Sequence, residues 1–597
     1  MHYVIPNDPA GRIVDVFLGI PFAAPPVGEL RFEKPIKAKA WPSDTPLICR
    51  RYKPMSLQKR YPIFDIDVPS SEDCLYLNVM TPTWKRPEAR GNSLFPVLVY
   101  CHGGGFIIDS AAAYRWEKLV DHCVKHDVVV VTIQYRLGPL GYFCTSDDTI
   151  QGNFGLWDQY FAFQWIYDNI KEFGGDPLNI TGMGQSAGAV SVHLLSILPM
   201  SKHLFAKTIL LGGSVECGWA VTARTPAARL CQQLALRMGY RRKHGKGYTE
   251  PWCAEENAKL KVFLKSAPTS KLLVSMIGLK MMMEVFRLPL SPIVDGDLVP
   301  FPPNVLLQDA PNRPSIRGIS RYEGMIFLSF MRQLYSERML RHFEKQYKFM
   351  IESISKVLPP EEVANFYPDK FDELHEIDKD VLSNKMKLRY KMAEVCGNIT
   401  SNWAFYTFLQ NAVARGSTAT WALIFEHHNP DILKLWSFVL PFNGKSNTTF
   451  FKQKVKHVFS APTHGTELAY MFGVNIFRMK YKPTPVDLEV SEKMQRAITN
   501  FAKYGNPNGD PLYPASCPYS FSWEPVTKEN PCRNLRVSPT PIVTDDLPND
   551  YIVKLSPLHA KYAEVYADEK YWKTVGSPNP SAEAIDLNMV ETGQEEN

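Results

Sequence analysis

Gly182-Met183-Gly184-Gln185-Ser186-Ala187-Gly188 is the stretch from which the rest of the chain is read. It fits G-x-S-x-G, a sharp strand-to-helix turn that holds a serine hydroxyl clear of the backbone. The flanks have the matching character. Asn179-Ile180-Thr181 carries β-branched residues suited to a buried strand, and Ala187 to Leu198 is rich in Ala, Val and Leu and runs as a helix until Pro199. A larger side chain at Gly184 or Gly188 would collide where strand and helix close on each other. A plain glycine loop with an incidental serine explains neither flank.

Upstream, Phe95 to Tyr100 reads as a strand that ends in His102-Gly103-Gly104-Gly105-Phe106. Three glycines at a strand end leave backbone N–H groups unobstructed, which suits a developing oxyanion. No Lys-Ser/Thr follows, and Gly444-Lys445-Ser446 lacks the upstream glycine of a phosphate loop, so nucleotide binding is set aside. Asp127 to Arg136 is a near-continuous apolar run, the pattern of a strand buried on both faces. Asp158 to Phe173 reads as a helix with Phe161 and Trp165 packing inward and Phe163 and Tyr160 as further candidates, ended by Gly174-Gly175. Ser71 to Val79 reads as a further strand and Thr418 to Phe425 as a late one. Strand, helix, strand, turn, helix is the rhythm of a parallel sheet covered on both sides.

Composition narrows the function classes. The chain has 597 residues, is 45% hydrophobic, and carries 67 basic against 61 acidic residues. So balanced a charge does not argue for nucleic acid. The basic run Arg241-Arg242-Lys243-His244-Gly245-Lys246 reads as a solvated loop. No apolar run reaches the 18 residues of a membrane span. Met1 to Asp8 has no basic region leading into an apolar core, so the chain as written shows no secretory signal; it is intracellular in this form, or secreted or luminal if a leader has been lost. Eleven cysteines without C-x-x-C or zinc spacing fit buried or free thiols, and no metal site is expected. Asn398-Ile399-Thr400 and Asn447-Thr448-Thr449 are glycosylation sequons; a third, Asn179-Ile180-Thr181, lies in the strand entering the turn. Met276 to Met283 reads as a packed methionine-rich helix.

A serine hydroxyl becomes a nucleophile when a neutral histidine accepts its proton and a carboxylate orients that histidine. Where a G-x-S-x-G turn is used, the order is Ser, acid, His, so both partners fall after Ser186. His464 fits best, in the loop Ser460-Ala461-Pro462-Thr463-His464-Gly465-Thr466-Glu467-Leu468; the pair His427-His428, closing the strand from Thr418, competes. His193, on the helix leaving the turn, reads as packed or exposed rather than catalytic. For the acid, Glu323 lies in Gly318-Ile319-Ser320-Arg321-Tyr322-Glu323-Gly324, and Asp295, in an Asp-Gly turn, is its rival.

Together with Phe17-Leu18-Gly19-Ile20-Pro21-Phe22-Ala23, Ser71-Glu72-Asp73-Cys74-Leu75-Tyr76-Leu77-Asn78 and Asn153-Phe154-Gly155-Leu156-Trp157-Asp158-Gln159, these motifs resemble the type-B carboxylesterases over roughly residues 10 to 535. That family includes the cholinesterases and the non-catalytic neuroligins. The resemblance implies an α/β-hydrolase fold, a large mostly parallel sheet with helices on both faces. It implies a serine esterase, without cofactor, acting on a small-molecule ester. Ser186 is the implied nucleophile, Glu323 the acid, His464 the base, and the N–H groups of Gly104, Gly105 and Ala187 the oxyanion hole. Trp219 is implied in the acyl pocket and Ser214 near the acid. The contrasting reading is a binding protein on the same fold, for which a lost nucleophile would be expected.

Departures are equally legible. Where the family keeps a cysteine to pair with Cys74, Pro54-Met55-Ser56-Leu57-Gln58 has serine, with Cys49 nearby. The second disulfide would fall near Tyr240 and Phe263, which are not cysteines. The first β-hairpin of the family is expected to be missing, residues 1–566 to form one domain, and 567–597 to form a polar tail. The loop Lys59 to Pro69 lacks the tryptophan that cholinesterases use for a quaternary ammonium, which disfavours a choline substrate.

Overall fold

The computed structural model describes residues 1–575 except 7, 43, 60–67, 87–92, 243–251, 276–286, 326, 328–336, 367–370, 434–460, 474–481, 511 and 550. Among these residues an eleven-stranded sheet runs through the molecule. Its strands are β1 (His2–Val4), β2 (Ile13–Pro21), β3 (Tyr76–Pro82), β4 (Phe95–Cys101), β5 (Val129–Ile133), β6 (Gly175–Gln185), β7 (Lys207–Leu211), β8 (Ser315–Ser320), β9 (Thr420–Phe425), β10 (Asn534–Val537) and β11 (Ile542–Thr544). They lie in the order β1-β2-β3-β5-β4-β6-β7-β8-β9-β10-β11. From β5 across to β10 every pair is parallel. Antiparallel pairs occur at the two ends.

Alternation along the central strands divides the core in two, as a period of two residues requires. In β4, Leu98 and Tyr100 join a cluster that includes Val130, Met183, Ile209, Ile316 and Leu423. Val97, Val99 and Cys101 point the other way, with Val129, Val131, Ile180 and Leu210. Helices cover both faces. α1 (Phe154–Asn169) and α2 (Ala187–Ile197) lie on the second cluster; α3 (Trp403–Ala414) and α5 (Tyr551–Ala567) pack on each other, and α4 (Pro485–Tyr504) lies on the first cluster. Each residue of β5 is buried, as its unbroken apolar run predicts.

Several boundaries differ from the sequence reading. α1 starts at Phe154 rather than Asp158, and a 3-10 turn, Ile170–Phe173, carries it to Gly174, whose φ of 76° closes the helix. Leu156, Asp158, Gln159, Ala162, Phe163 and Ile166 are fully buried on it, while Tyr160, Phe161 and Trp165 are half-buried. His2 to Val4 pair antiparallel with Ile13 to Asp15, forming a hairpin ahead of β3. Within the expected tail a further helix, α6 (Glu569–Val575), buries Tyr571 and Trp572. Residues 576–597, the methionine-rich stretch, most of the Lys59 to Pro69 loop, the end of the basic run and Asn447 lie outside the described residues.

All eleven cysteines are free thiols. Cys74 is fully buried, and Ser56, the residue standing where a disulfide partner was sought, is buried as well. Asn398 is buried in a π-helical turn, its Oδ1 accepting from Asn402 Nδ2 at 3.0 Å, so that sequon has no room for a glycan here.

Candidate active site

Thr181 to Val190 are buried with one exception, Ser186. It joins β6 to α2 with φ 57° and ψ −126°, a conformation that costs a non-glycine residue of order 1–3 kcal/mol. Its neighbours show why the turn is held. A Cβ on Gly184 would lie 2.3 Å from the carbonyl of Gly188, and one on Gly188 would lie 2.2 Å from the carbonyl of Cys101. Ser186 N–H donates to Leu211 O at 2.8 Å, tying the turn to β7.

The glycine run runs against this turn. A Cβ on Gly103 would meet Gln185 O at 2.5 Å and Ser186 Cβ at 3.0 Å. Gly104 and Gly105 follow with φ of 91° and 60°, and a Cβ on Gly104 would strike Ile108 O at 2.1 Å. The loop is braced by Tyr135, whose ring stacks on His102 at 4.5 Å and whose hydroxyl donates to His102 O at 2.8 Å. Ala187 opens α2, so its N–H has no carbonyl one turn back to bond.

His464 and Glu323 meet in the interior. Nδ1 of the ring lies 2.5 Å from Glu323 Oε2, and Glu323 Oε1 accepts from Ser320 N–H at 2.7 Å. Glu323 is wholly buried and His464 is 3% exposed. Nε2 of His464 is buried and makes no hydrogen bond among the described residues, so Ser186 and His464 are not bonded to each other. Gly212 and Gly213 bring the two within one neighbourhood: a Cβ on Gly212 would lie 2.8 Å from His464 Nδ1, and one on Gly213 2.4 Å from Ser186 O. Hydrogen bonds of this kind often tighten only when substrate is bound.

Burial pulls the pKa of His464 down, but the charge and hydrogen bond of Glu323, with Glu467 adding, outweigh it, and the net shift is upward. Burial, and then the charge of Glu323, push the carboxyl of Glu467 up; its Oε2 accepts from Ser320 Oγ at 3.0 Å.

The rivals have other engagements. Asp295 accepts from Asp297 N and Val299 N at 3.0 and 2.8 Å and from Asn153 Nδ2 at 2.7 Å, so its carboxylate closes its own turn. His427 Nε2 is 2.7 Å from Asp487 Oδ1, a carboxylate that also takes the N–H of Thr484 at the start of α4. His193 is packed, accepting from Val215 N–H. Ser214, expected near the acid, accepts from Arg317 at 3.3 Å.

Sequence reasoning missed Arg317, Ser320, Glu467 and the pair Gly212-Gly213. Arg317 is fully buried on β8 and donates to Gly213 O, which pins the loop beside Ser186. A charge in the middle of an otherwise apolar strand was its signal. Glu467, three residues after His464, stood in the quoted motif without a role.

Trp219 is 6% exposed, with its Nε1 donating to Thr400 O at 2.8 Å. It lines a mostly apolar cavity of about 110 Å³ with Tyr142, Leu230, Leu288 and Leu290, which Arg229 and Arg287 also border. Leu288 reaches the glycine loop, 3.5 Å from where a Cβ on Gly105 would be.

Against known proteins, a family model described as "Carboxylesterase family" matches residues 6–549. The chain belongs to the carboxylesterase family. As a carboxylesterase-family member it has the α/β-hydrolase fold and is a carboxylic ester hydrolase. Among curated proteins this carboxylesterase is 32% identical to Esterase cest-33 of Caenorhabditis elegans over 533 residues, 88% of this chain and 86% of that protein. It is 30% identical to Carboxylesterase 1E of Mus musculus, covering 84% and 83% of the two chains. It is 29% identical to Acetylcholinesterase of Bungarus fasciatus, covering 85% and 78%.

Proposed function

We propose that this chain hydrolyses neutral carboxylic esters through an acyl-enzyme formed on Ser186. The Ser186 Oγ–carbon bond forms as the hydroxyl proton passes to His464 Nε2, while Glu323 holds the ring by Nδ1 and balances the imidazolium. The carbonyl electron pair moves onto oxygen, where N–H groups of Gly104, Gly105 and Ala187 receive it. Collapse breaks the bond to the alcohol, which leaves with the proton from His464. Water then repeats the sequence and releases the acid.

The observation that carries this reading is the buried Glu323–His464 contact, with Nε2 unengaged, beside a serine that alone of its turn reaches solvent. The acyl group is assigned to the Trp219 cavity, whose mostly apolar walls suit a neutral chain. A binding-only role has no observation in its favour. Kinetics test the assignment. Ser186→Ala should lower kcat for phenyl butyrate by about 10⁶, and the wild type should show a higher kcat/KM for phenyl butyrate than for butyrylcholine. Substantial turnover by pure Ser186→Ala removes the nucleophile assignment; preference for the choline ester removes the substrate assignment alone.

A further inference from the structure

Val221, which lines the Trp219 cavity, also lines a second one of about 300 Å³. Trp403 on α3 and Leu307 give it apolar walls; Glu216, Thr407 and Arg415 are among its polar ones, as is Glu564, which is paired with Lys561 at 3.2 Å. The ester mechanism uses none of these side chains.

Three buried polar atoms on these walls have no hydrogen-bond partner among the described residues: Glu216 Oε2, Thr407 Oγ1 and Arg415 Nε. Buried polar groups are nearly always satisfied, so three around one cavity call for an explanation. Glu216 is 7% exposed, and its Oε1 takes only a 3.5 Å contact from Asn411. Its Oε2 lies 3.5 Å from His193 Nδ1, but that nitrogen accepts the N–H of Val215 at 3.2 Å and so has no proton to give. The charges of Arg415 and Glu216 are close enough to act on each other, yet no ion pair joins them. A carboxylate so far out of water, with a guanidinium near enough to feel its charge but not bonded to it, is costly unless something satisfies it.

We infer that this cavity binds a small zwitterion of the α-amino acid type, its ammonium on Glu216, its carboxylate on Arg415 and its apolar body against Trp403 and Leu307. An amine alone or an acid alone neutralises one wall and leaves the other.

Calorimetric titration of the full chain tests this with L-phenylalanine, phenethylamine and 3-phenylpropanoate. L-phenylalanine should saturate one site, with each of the other two weaker by about tenfold or more. Glu216→Gln and Arg415→Met should each weaken L-phenylalanine by a similar factor and leave phenyl butyrate turnover unchanged. Ala563→Phe fills the cavity without removing a polar group, and should abolish binding even if Glu216→Gln does not fold. No saturable binding up to about 10 mM, equal binding of the three probes, or binding untouched by Ala563→Phe would overturn the inference.

Discussion

Gly212 lies so close to the ring of His464 that a methyl group on it would stand 2.8 Å from Nδ1 and 2.9 Å from Cε1. Its φ of 60° also suits glycine. The same nitrogen is held by Glu323, so the ring has little freedom to yield. Gly212→Ala should therefore displace the imidazole, and a shift near 1 Å costs on the order of 10² in rate. The expected result is a kcat lower by about that factor, with a thermal midpoint only modestly reduced. An unchanged kcat would show that the ring position does not govern turnover.

The turn at Ser186, the glycine loop and the buried strands were legible in the sequence because each depends on local pattern: small residues where backbones touch, and apolar runs where a sheet is covered twice. What lies around His464 was not. Gly212, Arg317 and Glu467 reach the site from β7, β8 and the loop after residue 460, and only the strand order makes them neighbours. The start of α1 was missed because Phe154-Gly155-Leu156-Trp157 carries no capping side chain, and the position of Asn153, with φ 56°, depends on its bonds to Ile293 and Asp295. The helix Glu569–Val575 was not read from the sequence because Tyr571 and Trp572 are two aromatic residues in a polar segment, and a local average hides them.

The pH profile follows from the raised pKa of His464. The ring must be neutral to accept the serine proton, so kcat/KM should fall as pH drops through that value, along a limb centred above the ordinary 6.5. Glu467 contributes to the rise. Glu467→Gln removes a negative charge from beside the ring and should move the limb to lower pH. A limb that stays in place, or moves up, contradicts the electrostatic account.

The choice of acid is tested by two conservative changes. Glu323→Gln keeps the shape of the side chain but removes the charge that orients His464, and should lower kcat by about 10³ to 10⁴. Asp295→Asn loosens the turn through its bonds to Asp297, Val299 and Asn153. It should cost roughly 1 kcal/mol of stability and leave turnover within a few-fold. Kinetics and thermal melts giving the reverse pattern would transfer the role to Asp295.

The most direct test of the central claim is titration of the active site with an organophosphate ester, followed by peptide mapping. The account predicts one phosphoryl group per chain, carried on the peptide containing Ser186, with loss of esterase activity in proportion to labelling and no labelling of Ser186→Ala. Full inactivation with the phosphoryl group on another residue, or labelling that persists in Ser186→Ala, would contradict it.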